Sequence, residues 1–302
     1  MTIDLSIVIV NWNTRDLLAQ CLESIQAYPP GVPYEVWVVD NASADGSAAM
    51  VRARFPWVYL IQNEQNVGFA VANNQAIRGS RGRNVVLLNS DTRVRPGALG
   101  ALVAFVQAHP RAGAVGARIL NGDGSLQPSC HPMLAPGREF WRLLFLEGIW
   151  PRATYPMQRW DLETPRQVEA IKGACLLLRR EALDQVGLLD EGYFMYTEEV
   201  DLCYRLARAG WELWWVPQAE VVHHQAQSSR QAAERMYLQL YRSKVLFYRK
   251  FGGPRRAERF KRLLRLAYWP RLVFAGLGSV FSPTLAAQAR TFRRLLAELP
   301  EM

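Results

Sequence analysis

Cysteine is scarce, with four among 302 residues. Cys21, Cys130, Cys175 and Cys203 form no C-x-x-C pair, which argues against a structural zinc knuckle. Such sparse usage suits a reducing compartment. No uninterrupted run of 18 apolar residues exists, so no membrane-spanning helix is expected. The nearest candidate, residues 272–287, is broken by Gly276, Gly278, Ser279, Ser282 and Pro283. The first ten residues lack a basic segment and a small-residue cleavage site, and Asp4 interrupts them, so they read as a strand and not a signal peptide. A cytoplasmic protein is therefore expected. The 21 Gly and 17 Pro follow no collagen-like period, and no 20–50-residue repeat marks a solenoid.

Half of the residues are hydrophobic and 21% are charged, which suffices for a packed core and excludes global disorder. The length fits one large α/β domain, alone or with an appendage. The net charge of +9 is unevenly placed. Residues 1–229 carry 20 Lys and Arg against 23 Asp and Glu, a net of −3; residues 230–302 carry 16 against 4, a net of +12. A basic segment of this kind seeks a polyanion: an anionic membrane, a phosphate-bearing substrate or nucleic acid. The acidic balance of the first 229 residues makes nucleic acid a poor primary partner.

Strand and helix signals alternate over the first ~120 residues. Apolar runs at 7–10, 36–39, 58–61 and 85–88 read as strands, and 17–25, 47–55 and 71–77 as helices. This alternation predicts a parallel sheet covered on both faces. Further on, 174–178, 212–216 and 221–222 read as strands, 198–209 as a helix and 121–124 as a turn, with 120–168 otherwise irregular. From residue 228 the pattern is helical, basic and aromatic. Polar residues gather just after three strands: Asn11-Trp12-Asn13, Asp40-Asn41-Ala42-Ser43 and Asn89-Ser90-Asp91. Ligands of open α/β sheets bind outside the carboxyl ends of the strands, so three such clusters describe one crevice.

Each cluster admits a plain and a chemical reading. Asp91 is either a turn residue or a ligand for a hard divalent cation. Asp40 either caps the next helix or accepts from a nucleoside. Gly68, in Asn66-Val67-Gly68-Phe69, is turn chemistry or a point of close backbone approach. Glu198, Glu199 and Asp201 suit a helix N-terminus electrostatically, and an ionised carboxylate there can also take a proton from a hydroxyl. His223 and His224 point to opposite faces of a strand, so at most one readily faces the crevice, where a neutral imidazole can ligate a metal.

Seven stretches in order resemble the family 2 glycosyltransferases, in particular their bacterial rhamnosyltransferase-like branch. They are 7–13 (IVIVNWN), 38–46 (VVDNASADG), 66–74 (NVGFAVANN), 86–91 (VLLNSD), 173–178 (GACLLL), 187–205 (GLLDEGYFMYTEEVDLCYR) and 222–228 (VHHQAQS). The resemblance spans roughly residues 5–245. It implies a GT-A fold, an α/β architecture with a mixed central sheet. The catalytic domain would be 1–229, with a nucleotide-sugar half of about 1–120 and an acceptor half of about 121–229, followed by a helical extension at 230–302.

The implied reaction moves a sugar from a nucleotide-diphosphate donor to an acceptor hydroxyl with inversion, in surface polysaccharide synthesis. The resemblance assigns Asn11, Trp12, Asn13, Asp40, Asn41, Asn66, Gly68, Phe69, Asn89 and Ser90 to the nucleotide. It gives Asp91 and His223 to Mg²⁺ or Mn²⁺, and makes Glu199 the base, with Glu198 and Asp201 as positioning groups or rivals. Asn89 stands where the family's D-x-D motif usually has its first Asp, and Glu199 where Asp is commoner. The acceptor in this branch is often a polyprenyl-linked glycan. The basic tail then has two readings: peripheral contact with an anionic membrane at the inner face of the plasma membrane, or a helical extension packed on the domain. Rival functions are a nucleotide-sugar nucleotidyltransferase and a catalytically silent scaffold of the same fold. The first would need a Gly-rich phosphate loop after the first strand, and Asn11-Trp12-Asn13-Thr14-Arg15 has no Gly.

Overall fold

The computed structural model describes residues 2–149, 154–224 and 232–302. In chain order the elements are β1 (Leu5–Asn11), α1 (Arg15–Ala27), β2 (Tyr34–Asp40), α2 (Ser47–Arg54), β3 (Tyr59–Gln62), α3 (Phe69–Gly79), β4 (Asn84–Asn89), β5 (Thr92–Val94), α4 (Ala98–Ala108), β6 (Ala112–Leu120), β7 (Leu126–Gln127) and β8 (Cys130–His131). There follow α5 (Pro136–Leu143), β9 (Arg166–Gln167), β10 (Ala170–Ile171), β11 (Cys175–Arg179), α6 (Arg180–Val186), α7 (Glu198–Arg208), β12 (Glu212–His223), α8 (Ala233–Gly278) and α9 (Pro283–Glu298). The chain divides into two compact units. The first holds the described residues of Met1–Met133, Tyr155–Phe194 and Glu198–Gln231; the second holds those of Leu134–Thr154, Met195–Thr197 and Ala232–Met302.

The first unit is built on a ten-stranded sheet in the order β3-β2-β1-β4-β11-β6-β12-β5, with β7 on β6 and β9 on β12. β1 and β4 are apolar on both faces, and Ile7, Val8, Ile9, Val86 and Leu87 are wholly buried. Burying each such side chain stabilises the fold by about 1.5–3 kcal/mol relative to exposure. The strands β3, β2, β1 and β4 are parallel, as the alternation of strand and helix predicts. Beyond these strands the sheet is mixed, as the GT-A resemblance implied: β11 runs antiparallel to both β4 and β6. Its Cys-Leu-Leu-Leu run is buried on both faces, so its composition carries no sign of direction. The two late strands expected at 212–216 and 221–222 are one, β12, whose register on β6 shifts between Val216 and Glu220. Pro217 lies in that shift, where a missing N–H donor is tolerated.

All four cysteines are free and buried. Burial pushes each thiol up to about 12, which leaves none of them a nucleophile.

The second unit is helical. Gly253, at φ 71°, breaks the helical path of α8, and Pro254 restarts it with its fixed φ. The two halves fold back on one another, with the Tyr248 and Phe260 rings 4.6 Å apart. Ser282 caps α9 by accepting from Leu285 N, and Pro283 opens its first turn. Lys244 donates to both carboxylate oxygens of buried Glu139 at 2.9–3.0 Å, and Arg142 donates to the same carboxylate at 2.7 Å. No helix among the described residues is long and apolar enough to cross a membrane.

Candidate active site

The polar clusters after β1 and β2 are stitched together. Asn11 Nδ2 donates to Asp40 Oδ1 at 3.0 Å and to Ser43 Oγ at 3.1 Å, while Thr14 Oγ1 donates to Asn11 Oδ1 at 2.7 Å. Asp40 Oδ2 accepts from Ser43 N at 3.2 Å. Asn11 and Asp40 are therefore fully buried supports beneath the loops, whereas Trp12 and Asn13 are partly exposed. Asn13 and Ala42 hold positive φ values of 52° and 64°, strained positions for residues with a Cβ. Thr14 Oγ1 also meets Ser90 Oγ at 2.9 Å, which ties the third cluster to the first.

Asn41 joins the next loop. Its Nδ2 donates to Asn66 Oδ1 at 2.9 Å, and its Oδ1 accepts from Val67 N at 3.1 Å. Gly68 is the residue this loop requires: its φ is 89°, and a Cβ there would sit 2.5 Å from the Phe194 carbonyl oxygen. That carbonyl accepts from Phe69 N at 2.7 Å, at the start of α3.

At the end of β4 lies the pair that can hold a metal. Asp91 Oδ1 stands 3.2 Å from His223 Nε2. His223 ends β12, paired with Thr92 of β5, and His224 N donates to Asp91 O at 2.9 Å. His223 Nδ1 donates to Gln127 Oε1 at 2.7 Å. That bond fixes the tautomer, leaving the Nε2 lone pair facing the Asp91 carboxylate and the Nδ2 of Asn89 at 3.3 Å. One carboxylate oxygen and one imidazole nitrogen converging in this way fit a divalent ion that keeps waters and takes its remaining ligands from a substrate diphosphate. No group of three or more His, Cys, Asp or Glu side chains placed to hold a metal exists among the described residues. Residues 225–228 of the seventh motif lie outside the described residues.

The three acidic residues of α7 have distinct situations. Asp201 is buried, with Tyr193 Oη donating to Oδ2 at 3.1 Å and Arg205 Nε to Oδ1 at 2.6 Å. Both its oxygens are engaged, so it positions the helix. Glu198 is buried, and desolvation, reinforced by the charge of Glu199, raises its pKa well above the usual carboxylate range. Glu199 is only partly buried. The two residues preceding Glu198, Tyr196 and Thr197, hold positive φ values of 67° and 73°.

The turn before β11 joins the metal pair to these acids. Asn89 N, two residues before Asp91, donates to Ala174 O at 3.0 Å. The neighbouring Gly173 approaches Phe69 and Glu199 so closely that a Cβ on it would lie 3.8 Å from the Phe69 ring and 4.0 Å from Glu199 Cβ. Asp91, His223, Phe69 and Glu199 thus gather at one end of the sheet. Sequence reasoning missed two participants, Gln127, which orients His223, and Lys172, which interacts electrostatically with Glu199; Ser43, seen in the sequence only as part of the cluster after β2, holds Asn11 and Asn13 together. Lys172 sits one residue before the GACLLL motif and could have been found there; Gln127 lies in a stretch whose sequence shows no pattern.

The model of glycosyl transferase family 2 matches residues 6–187. The chain is 36% identical over 244 residues to N-acetylglucosaminyl-diphospho-decaprenol L-rhamnosyltransferase of Mycobacterium tuberculosis, covering 76% of this chain and 78% of that one. It is 26% identical over 226 residues to the low-salt glycan biosynthesis hexosyltransferase Agl10 of Haloferax volcanii, covering 74% and 67%. Among solved structures, it resembles the mannosyltransferase PcManGT of Pyrobaculum calidifontis in complex with GDP-Man and Mn²⁺. There the TM-score is 0.53 and the identity 18%, over 98% of this chain and 86% of that one. GalNAc-T7 with UDP, GalNAc and Mn²⁺ gives a TM-score of 0.56 at 18% identity, over 74% and 44%. At these identities the likeness is one of fold, and the fold is GT-A, as the resemblance of the motifs implied.

Proposed function

The chain belongs to glycosyl transferase family 2, and on that premise we propose that it moves rhamnose from a nucleoside-diphosphate donor to a hydroxyl of a lipid-linked N-acetylglucosamine, with inversion. The observation that carries this reading is the meeting of Asp91 and His223 at 3.2 Å, with Glu199 reached through Gly173 at the same end of the sheet. The sugar and the acceptor follow the printed activity of the Mycobacterium tuberculosis relative. The donor occupies the half of about residues 1–120, on Trp12, Asn13, Asn66, Gly68, Phe69, Asn89 and Ser90, with Asn11, Asp40 and Asn41 fixing the loops behind them. The acceptor occupies the half of about 121–229.

Asp91 and His223 would hold Mg²⁺ or Mn²⁺, which when bound neutralises charge building on the departing diphosphate. Glu199 takes the proton of the attacking hydroxyl on the opposite face of the sugar. General-base assistance of this kind contributes about 10²–10⁴-fold. Glu198, held toward its protonated form, is poorly suited to that task, and Asp201 is committed to Tyr193 and Arg205. A single displacement needs no covalent nucleophile, consistent with four buried thiols. The helices from Ala233 onward are the basic extension, and the net charge of +12 over residues 230–302 favours peripheral contact with anionic lipid at the inner face of the plasma membrane.

The test is product analysis with dTDP-rhamnose and a lipid-linked N-acetylglucosamine acceptor, with and without Mg²⁺. Release of nucleoside diphosphate with formation of the inverted glycoside supports the reading. Pyrophosphate release would point to a nucleotidyltransferase, and no product with any donor to a silent scaffold; both would refute it.

A further inference from the structure

The second unit contains a cavity of about 710 Å³, lined by none of the residues assigned above to the nucleotide, the metal or the base. Its volume is that of a small-molecule site. One wall is a tyrosine trio from the two halves of α8. Tyr237 and Tyr241 both share hydrogen bonds with the Tyr268 hydroxyl, so these polar atoms satisfy one another and the rings supply apolar surface. Phe292 of α9 packs against this wall, its ring 5.2 Å from that of Tyr268.

Two cations belong to the same cavity. Arg271 lies flat between two rings, its guanidinium carbon 4.7 Å from the Phe145 centroid and 4.8 Å from that of Tyr268, and it donates to the Leu143 carbonyl. Arg142, partly exposed, shares buried Glu139 with buried Lys244, so two cations face one carboxylate there.

The rim is what distinguishes this cavity from a packing defect. Phe145 and Phe274, both part of the lining, are 78% and 72% exposed. Phe145 holds a φ of 59°, a strained backbone for a residue that gains no burial from it. Beyond Phe274 the exposed apolar surface continues through Trp269, Val273, Leu277, Val280 and Phe281. Apolar side chains left in water at the mouth of a cation-bearing aromatic cavity match an amphiphile with an apolar chain and an anionic head.

We propose that this cavity binds the isoprenoid chain of a phosphate-bearing lipid, the carrier of the acceptor sugar, with Arg271 at its charged end. The inference rests on the lipid-linked acceptor reading above. It adds a lipid-recognising site, in the helical unit, to the sugar-handling site of the sheet.

The test titrates the full chain, without divalent metal and with saturating nucleoside diphosphate, using farnesyl diphosphate, farnesol, inorganic pyrophosphate and dioctanoyl phosphatidylglycerol. Farnesyl diphosphate is expected to bind at least tenfold more tightly than the other three. Gln288, exposed on α9, lines the cavity, so Gln288→Trp fills it without disturbing the core and weakens farnesyl diphosphate at least tenfold. Arg271→Leu removes the advantage of the diphosphate and leaves farnesol binding in place. Equal binding of farnesyl diphosphate by Gln288→Trp and the unaltered protein, full displacement by inorganic pyrophosphate, or equal binding of phosphatidylglycerol would overturn the proposal. The titration needs no turnover. A chain that binds farnesyl diphosphate in this pattern but transfers no sugar keeps the cavity and loses the reaction; one that transfers sugar and does not bind the lipid loses the cavity alone.

Discussion

In the first unit, the polar side chains that the core spares sit at strand ends and bond to one another: Asn11 to Asp40, Asn41 to Asn66, Asn89 to His223. In the second, eleven of the fifteen large hydrophobic residues exposed among the described residues are found, and residues 230–302 carry a net charge of +12 against −3 for the rest of the chain. The contrast separates two kinds of recognition. A crevice of rigid, mutually bonded polar groups orients a charged substrate without reorganising. An exposed apolar and cationic helical surface binds a chain or an interface, where geometry matters less than buried area and charge.

If the contrast is right, substitutions in the two units fail differently. The largest expected effect is in the first. Asp91→Ala removes a carboxylate proposed to hold the metal, at a cost of several kcal/mol in the transition state, about 10³-fold in kcat/KM. The fold should survive, and calorimetry should find nucleoside diphosphate affinity the same with and without Mg²⁺. In the second unit the corresponding loss is of stability. Glu139→Gln strands Lys244 in a buried site and should destabilise the protein by about 3–5 kcal/mol, read as a lowered denaturant midpoint. Burial opposes ionisation of Glu139, but Lys244 and Arg142 overturn this and hold its carboxyl below the usual range. Its contribution is therefore complete above the unfolded pKa and lost as pH falls through the lower folded value.

A smaller effect sharpens the picture of the crevice. Gln127→Leu leaves His223 Nδ1 without its acceptor and frees the tautomer. Metal affinity should fall about 10–100-fold, measured by Mn²⁺ titration in the presence of nucleoside diphosphate.

The smallest effect concerns Glu198. Its pKa is raised in the fold, so the folded state holds that proton more tightly than the unfolded chain does. The favourable term is present below the ordinary value of 4.5 and falls away as pH climbs toward the folded value. Glu198→Gln should therefore match the unaltered protein in thermal midpoint at and below about pH 4.5 and exceed it increasingly as pH rises from there toward the folded value. A gap that stays constant with pH would show that Glu198 is not held toward its protonated form.

How much of this was legible in the sequence follows from whether the signal is local. Each of β1, β2 and β4 is an apolar run closed by a polar cluster, and both features lie within ten residues, so the strands and their loops could be read directly. Asp91, His223 and Glu199 were reachable through short motifs. β11 was recognised as a strand, but its antiparallel place between β4 and β6 depends on pairings with segments about sixty to ninety residues away. Gln127 lies in a stretch with no periodicity, and its role exists only because β7 pairs with β6 beside the end of β12. The grouping of Leu134–Thr154 with the C-terminal helices was likewise hidden, since it rests on the Glu139–Lys244 pair, 105 positions apart in the chain.

Steady-state transfer by Glu199→Gln, at saturating donor and Mg²⁺, tests the central claim most directly. With Glu199 as the base, kcat falls by about 10²–10⁴-fold and nucleoside diphosphate affinity is unchanged. Turnover near that of the unaltered protein would contradict it.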